Sequence, residues 1–120
     1  MIFFHANGED ISSAYEFLKM VNLETKYPIL AMEYRGYSIY EGDTNPKNIE
    51  ADAARVMEFL QANKFTSNEI ILFGRSIGCA VALTVTQKYS VYCTVLLSPF
   101  ISLKKIAKDL YCGCAGSMLK

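Results

Sequence analysis

The chain reads as an α/β protein with an open parallel sheet, helices covering both faces in three layers, and about four strands. Two observations predict this. Short apolar runs rich in β-branched and aromatic residues alternate with segments of helical periodicity, the pattern of successive βαβ units. One of those runs, Ile70-Ile71-Leu72-Phe73, passes through Gly74-Arg75-Ser76-Ile77-Gly78 into a helix-length segment, a strand–turn–helix succession. With 120 residues, 52% of them hydrophobic and 20% charged, the composition is globular and the length suits one domain at most.

Met1 to Phe4 forms the first expected strand, followed by the loop His5-Ala6-Asn7-Gly8. A helix is predicted from Ile11 to Val21. Ile11, Ala14, Tyr15 and Leu18 share one apolar face there, and Ser13 with Glu16 offers a capping box. Pro28 to Tyr34 is the second strand, closed by Gly36, and a polar loop from Ser38 to Thr44 leads to Asn45-Pro46. Asparagine at the cap and proline at the first helical position begin the next helix, which Ile49, Ala53, Val56 and Leu60 continue at helical spacing. Thr66-Ser67-Asn68 makes a turn, Glu69 to Phe73 the third strand, Ile77 to Tyr89 the third helix, and Val91 to Leu97 the fourth strand.

The motif around Ser76 carries the chemistry. Gly-x-Ser-x-Gly between a strand and a helix is the signature of a nucleophile elbow, in which a sharp turn lifts the serine hydroxyl out of the sheet. Gly74 and Gly78 stand where side chains would collide. This context favours the elbow over a turn in which Ser76 only caps the helix. The first loop falls at the carboxyl end of a parallel strand, where open α/β sheets place their ligand sites. An oxyanion hole there needs one backbone N–H from this loop and one from the residue after the nucleophile, Ile77. Ala6 and Asn7 both follow the strand end, and either meets that requirement.

Several function classes are excluded. Twelve basic and twelve acidic residues cancel, so no charge excess points to nucleic acid. The longest apolar run falls far below the roughly 18 residues that a transmembrane helix needs. A cytoplasmic setting is expected, with a membrane-peripheral one left open. No dinucleotide or phosphate-loop glycine pattern occurs, and with one histidine no cluster of ligands stands at zinc spacing, so neither cofactor nor metal is expected. Cys79, Cys93, Cys112 and Cys114 stand at no disulfide or zinc spacing. They read as free thiols, with Cys79 and Cys93 inside elements expected to be buried.

Phe3-Phe4-His5-Ala6-Asn7-Gly8-Glu9-Asp10-Ile11, Tyr34-Arg35-Gly36-Tyr37-Ser38, Phe73-Gly74-Arg75-Ser76-Ile77-Gly78 and Leu97-Ser98-Pro99-Phe100 together resemble the α/β-hydrolase superfamily. Within it they are similar to the serine-hydrolase branch of serine-aminopeptidase-like proteins and protein depalmitoylases, with His5-Ala6 where relatives usually have His-Gly. The resemblance implies acyl transfer: Ser76 attacks an ester, thioester or amide carbonyl of a small-molecule or lipid-type acyl substrate, or of an acylated protein. It also implies the chain order serine, acid, histidine. Here the single histidine, His5, precedes the serine, so it is expected to shape the oxyanion loop rather than act as base. Asp109, the one acid beyond the elbow, reads as part of a solvated face with Lys104, Lys105 and Lys108. Residues 1–120 thus resemble a partial hydrolase domain, strands three to six of the family fold, that stops before the strands bearing acid and histidine.

The expected activity of the isolated chain is therefore low, and a non-catalytic remnant serving as a binding or interaction module is the alternative. In the strand order that the resemblance implies, Pro28 to Tyr34 and Val91 to Leu97 would be the two outer strands, each presenting an apolar edge able to pair with another copy. Serine at the nucleophile position argues against a dehalogenase. Tyr37, Tyr40, Phe100 and Tyr111 are candidates for lining an acyl pocket.

Overall fold

The computed structural model describes residues 1–100. Their elements are β1 (Ile2–Phe4), α1 (Ile11–Thr25), β2 (Leu30–Met32), α2 (Pro46–Ala62), a single 3₁₀ turn (Ser67–Glu69), β3 (Ile71–Arg75), α3 (Gly78–Thr86) and β4 (Cys93–Leu97). The strands form one parallel sheet in the order β2-β1-β3-β4. The chain steps outward from β1 to β2 and then crosses back to β3. The carboxyl ends of β1 and β3 therefore flank the point where the winding reverses, the place for a crevice in an open sheet.

Apolar side chains on both faces of the sheet explain the three layers. Phe3 and Phe73 point to one face and pack with Ala14 and Leu18 of α1. Ile2, Phe4 and Leu72 point to the other, against Ala53, Met57 and Leu60 of α2 and Ala82 and Val85 of α3. Adjacent residues of β1 thus feed different cores, as the two-residue period of a strand dictates.

Local chemistry set several boundaries differently from the expectations. α1 starts on Asp10, whose carboxylate accepts the Ser13 N–H at 2.7 Å while the Ser13 hydroxyl accepts the Asp10 N–H at 2.9 Å. The reciprocal cap is therefore Asp10 with Ser13, not Ser13 with Glu16. The helix runs one turn past Val21 because nothing before Pro28 breaks it, and it ends on Lys26 in the left-handed region at φ 61°. β2 is cut to three residues, since it pairs only with the three of β1 and Glu33 beyond it bonds elsewhere. β3 begins two residues later than expected: Glu69 turns back to accept the Thr66 N–H at 2.8 Å, and the ladder instead extends to Arg75, paired with Leu97. α2 begins as expected, with Asn45 accepting the Asn48 N–H at 2.9 Å ahead of Pro46.

Cys79 is buried, but Cys93 is exposed. It sits on β4, which among the described strands pairs only with β3, so the expectation of a buried Cys93 fails. Asp109, Cys112, Cys114 and Tyr111 lie outside the described residues. No helix among the described residues is long and apolar enough to cross a membrane.

Candidate active site

Ser76 leaves the end of β3 with φ 52°, a left-handed conformation that costs a non-glycine residue on the order of 1 kcal/mol. Its N–H donates to Leu97 O at 2.9 Å, and its carbonyl accepts the Cys79 N–H at 3.0 Å, so the backbone passes from ladder to helix within one residue. The N-terminal flanking position of α3 is taken by Ile77 without a side-chain cap. The Ser76 hydroxyl therefore does not cap the helix; it is half-buried and makes no hydrogen bond among the described residues.

The two glycines are spatial requirements. A Cβ on Gly74 would lie 2.5 Å from Gly78 O and 2.6 Å from Cys79 Cα. One on Gly78 would lie 2.6 Å from the Phe4 carbonyl carbon and 2.8 Å from His5 O. Gly78 thus lets the start of α3 press directly on the end of β1, which brings the Ser76 turn beside the His5-Ala6-Asn7 loop.

That loop is a tight turn in which Glu9 N–H donates to Ala6 O at 3.2 Å, with Gly8 at φ 75°, the glycine geometry of a type II turn. The Ala6 N–H donates to Glu9 Oε2 at 3.0 Å. The Asn7 N–H makes no hydrogen bond among the described residues, while the Asn7 side-chain oxygen accepts from the Tyr37 hydroxyl at 2.7 Å.

His5 is built into the scaffold of this loop. It is buried, with Nδ1 2.9 Å from Ala6 O and Nε2 2.8 Å from Glu33 Oε1. Its ring lies against Tyr34 at a centroid separation of 4.0 Å and edge-on to Tyr37 at 5.2 Å. Tyr34, whose hydroxyl donates to His5 O at 3.0 Å, is buried deeply enough that its phenol is pushed above the ordinary tyrosine range. Glu33 also accepts the Ile11 N–H at 3.0 Å and the Tyr34 N–H at 3.1 Å, tying β2 and the start of α1 to the loop. Both ring nitrogens are occupied by this scaffold.

An apolar cavity of about 320 Å³ opens beside Ile77 between α2 and α3, lined among others by Ile49, Ala53, Val81, Val85 and Phe100. Phe100 is the one described member of the expected aromatic lining that reaches it; Tyr37 instead holds Asn7, and Tyr40 forms a bridge with Tyr37. A larger cavity of about 610 Å³ lies at the opposite, amino edge of the sheet around Tyr27, Phe65 and Tyr92. It is far from Ser76 in the fold, so size is no guide to the site. No group of three or more metal-ligating side chains occurs among the described residues.

Residues not singled out from sequence are Glu33, Glu9 and Arg75. A lone acid ending an apolar strand was a signal for Glu33. Glu9 and Arg75 carried none, because their partnership joins positions 66 apart.

The chain is similar to several curated proteins over most of its length. It is 28% identical over 108 residues to the alpha/beta hydrolase domain-containing protein aho-3 of Caenorhabditis elegans, covering 89% of this chain and 32% of the relative. It is 27% identical over 117 residues to the human alpha/beta hydrolase domain-containing protein 17C, covering 93% of this chain and 36% of the relative. It is 28% identical over 123 aligned positions to an uncharacterized protein of Acanthamoeba polyphaga mimivirus, covering 92% of this chain and 41% of the relative. The chain thus spans about a third to two fifths of the length of these relatives. No protein-family profile matches it, and neither does any solved structure. The named relatives support membership of the α/β-hydrolase superfamily.

Proposed function

We propose, taking that superfamily as the premise, that this chain is the nucleophile-bearing part of a serine hydrolase acting on an acyl ester, thioester or amide. The four strands correspond on this reading to strands three to six of the hydrolase sheet, an assignment supported by the order β2-β1-β3-β4 with the serine directly after the third strand in chain order. The observation that carries the reading is the left-handed Ser76 between Gly74 and Gly78, held against the end of β1.

Ser76 Oγ attacks the carbonyl carbon, and the carbonyl electron pair moves onto oxygen. The N–H groups of Ile77 and of the His5-Ala6-Asn7 loop receive that oxyanion. The apolar cavity beside Ile77 suits the acyl side of a small-molecule or lipid-type substrate, or of an acylated protein. Proton transfer needs a base, and the chain's one histidine is engaged by Ala6 O and Glu33. On this reading the base and acid come from polypeptide outside these residues. Removing the catalytic histidine of the serine protease subtilisin costs on the order of 10⁶ in turnover, so on this reading the chain alone is close to inactive. The engagement of His5 also favours a second reading, a hydrolase remnant that binds a partner without turnover.

Labelling with a fluorophosphonate probe, with and without added imidazole as a diffusible base, tests the first reading. Slow labelling that imidazole accelerates, and that Ser76→Ala abolishes, is expected. A folded chain that labels no faster than Ser76→Ala under both conditions overturns the hydrolase reading in favour of the second.

A further inference from the structure

Glu9 has no part in the attack on a carbonyl, yet its carboxylate joins the two loops that meet at Ser76. One oxygen accepts the Ala6 N–H at 3.0 Å; the other accepts Arg75 Nη1 at 2.5 Å. Arg75 is the last residue of β3, immediately before the serine, and its guanidinium lies 5.3 Å from the Phe17 ring centre on α1. The Glu9 side chain is 22% exposed, so these charge-assisted bonds are partly shielded from water.

A carboxylate bound to an amide repels any second anion from that amide. The Ala6 N–H is thereby withdrawn from oxyanion binding, and the Asn7 N–H remains, its residue braced by the Tyr37 hydroxyl. We propose that Glu9 is the positioning residue of the oxyanion site. It assigns the loop's donor role to Asn7 and, through Arg75, fixes that donor in register with Ile77 on the elbow. The inference rests on the hydrolase reading.

The test is the water-exchange rate of the Ala6 amide measured by NMR on the full chain, with the Leu72 amide in the sheet as control. Glu9→Ala is expected to raise Ala6 exchange about tenfold, the factor one charge-assisted hydrogen bond carries. Arg75→Met is expected to raise it several-fold and Arg75→Lys to restore it, with Leu72 unchanged throughout. Imidazole-assisted labelling of Ser76 should slow in Arg75→Met and recover in Arg75→Lys. An Ala6 rate indifferent to Glu9→Ala or Arg75→Met overturns the proposal, as does Leu72 accelerating in step with Ala6. If Ala6 exchange responds to the substitutions as expected but Ser76 of the unsubstituted chain never labels, Glu9 is shown to brace the loop while the hydrolase reading, and with it the oxyanion role, is overturned.

Discussion

Gly78→Ala should destabilise the protein even though alanine is the better helix former. At the first residue of α3 the substitution gains at most about 1 kcal/mol of helix propensity. Against that, the new methyl would sit 2.6 Å from the Phe4 carbonyl carbon and 2.8 Å from His5 O. Both are backbone atoms at the end of β1, which pairs with β2 and β3, so they cannot yield as a flexible side chain would. Overpacking of this kind costs about 1–3 kcal/mol; the rigid neighbours put Gly78→Ala at the top of that range, about 2 kcal/mol net of propensity. For a domain of this size, about 4 °C per kcal/mol gives a fall in Tm of roughly 8 °C. Gly8→Ala is the control. Gly8 is also near the site, with φ 75° but nothing within 4 Å of its Cβ, so it meets only the left-handed cost of about 1 kcal/mol, roughly 4 °C. Thermal melts followed by circular dichroism decide the order. A Gly78→Ala protein that melts with the wild type, or above Gly8→Ala, would refute the claim that the elbow is held by direct backbone contact.

Three further outcomes are expected. Ser76→Gly should raise Tm by roughly 4 °C by relieving the φ 52° strain, whereas Ser76→Ala should leave it in place; equal melts of the two variants would show that the turn is not strained. Asp10 and Glu69 are held below the ordinary carboxylate range, each chiefly by a backbone N–H bond, from Ser13 and Thr66 respectively. A lowered folded-state pKa contributes stability that is present above the unfolded value and lost as pH falls through the folded one, so Asp10→Asn with Glu69→Gln should flatten the acid limb of a Tm–pH profile; an unchanged limb would refute this. On β4, Val95 is 43% and Leu97 38% exposed, and pairing of this edge with another copy predicts concentration-dependent association in sedimentation velocity that Val95→Lys weakens; a monodisperse wild-type monomer would sink it.

What the sequence made legible was what local rules control. The alternation of strands and helices and the Asn45-Pro46 start of α2 follow from patterns a few residues long, whereas the placing of β2 and β4 at the edges came from the strand order of the family the chain resembles. The strand ends did not, because they depend on partners: β2 stops where β1 stops, and β3 reaches Arg75 because Leu97 lies opposite. The cap of α1 moved from Ser13 to Asp10 because two overlapping capping patterns compete, and the carboxylate takes the Ser13 N–H. Around Ser76, the need for Gly74 and Gly78 was visible as a motif. The fates of His5 and Ala6 were not, since they are decided by Glu33, 28 positions from His5, and by whichever N–H the Glu9 carboxylate reaches.

The two readings of the chain differ in what they ask of this arrangement. A turn that merely joins a strand to a helix needs neither a left-handed serine nor a helix start pressed onto a neighbouring strand, and a serine used as a cap would bond the helix, which Ser76 does not. The strain is local, while the contacts that sustain it are spread across β1, β3 and α3 and tied to α1 and β2 through Glu33 and Arg75. Strain of this type persists only where the surroundings over-determine it, and it gathers at functional sites. On the proposed hydrolase reading the serine is the reacting group, and His5 is engaged by Ala6 O and Glu33 instead. Lys26, Ser38, Lys64 and Ser98 are left-handed as well, so it is the close backbone packing of Gly74 and Gly78 around Ser76, rather than its φ alone, that supports the proposed hydrolase reading over the remnant.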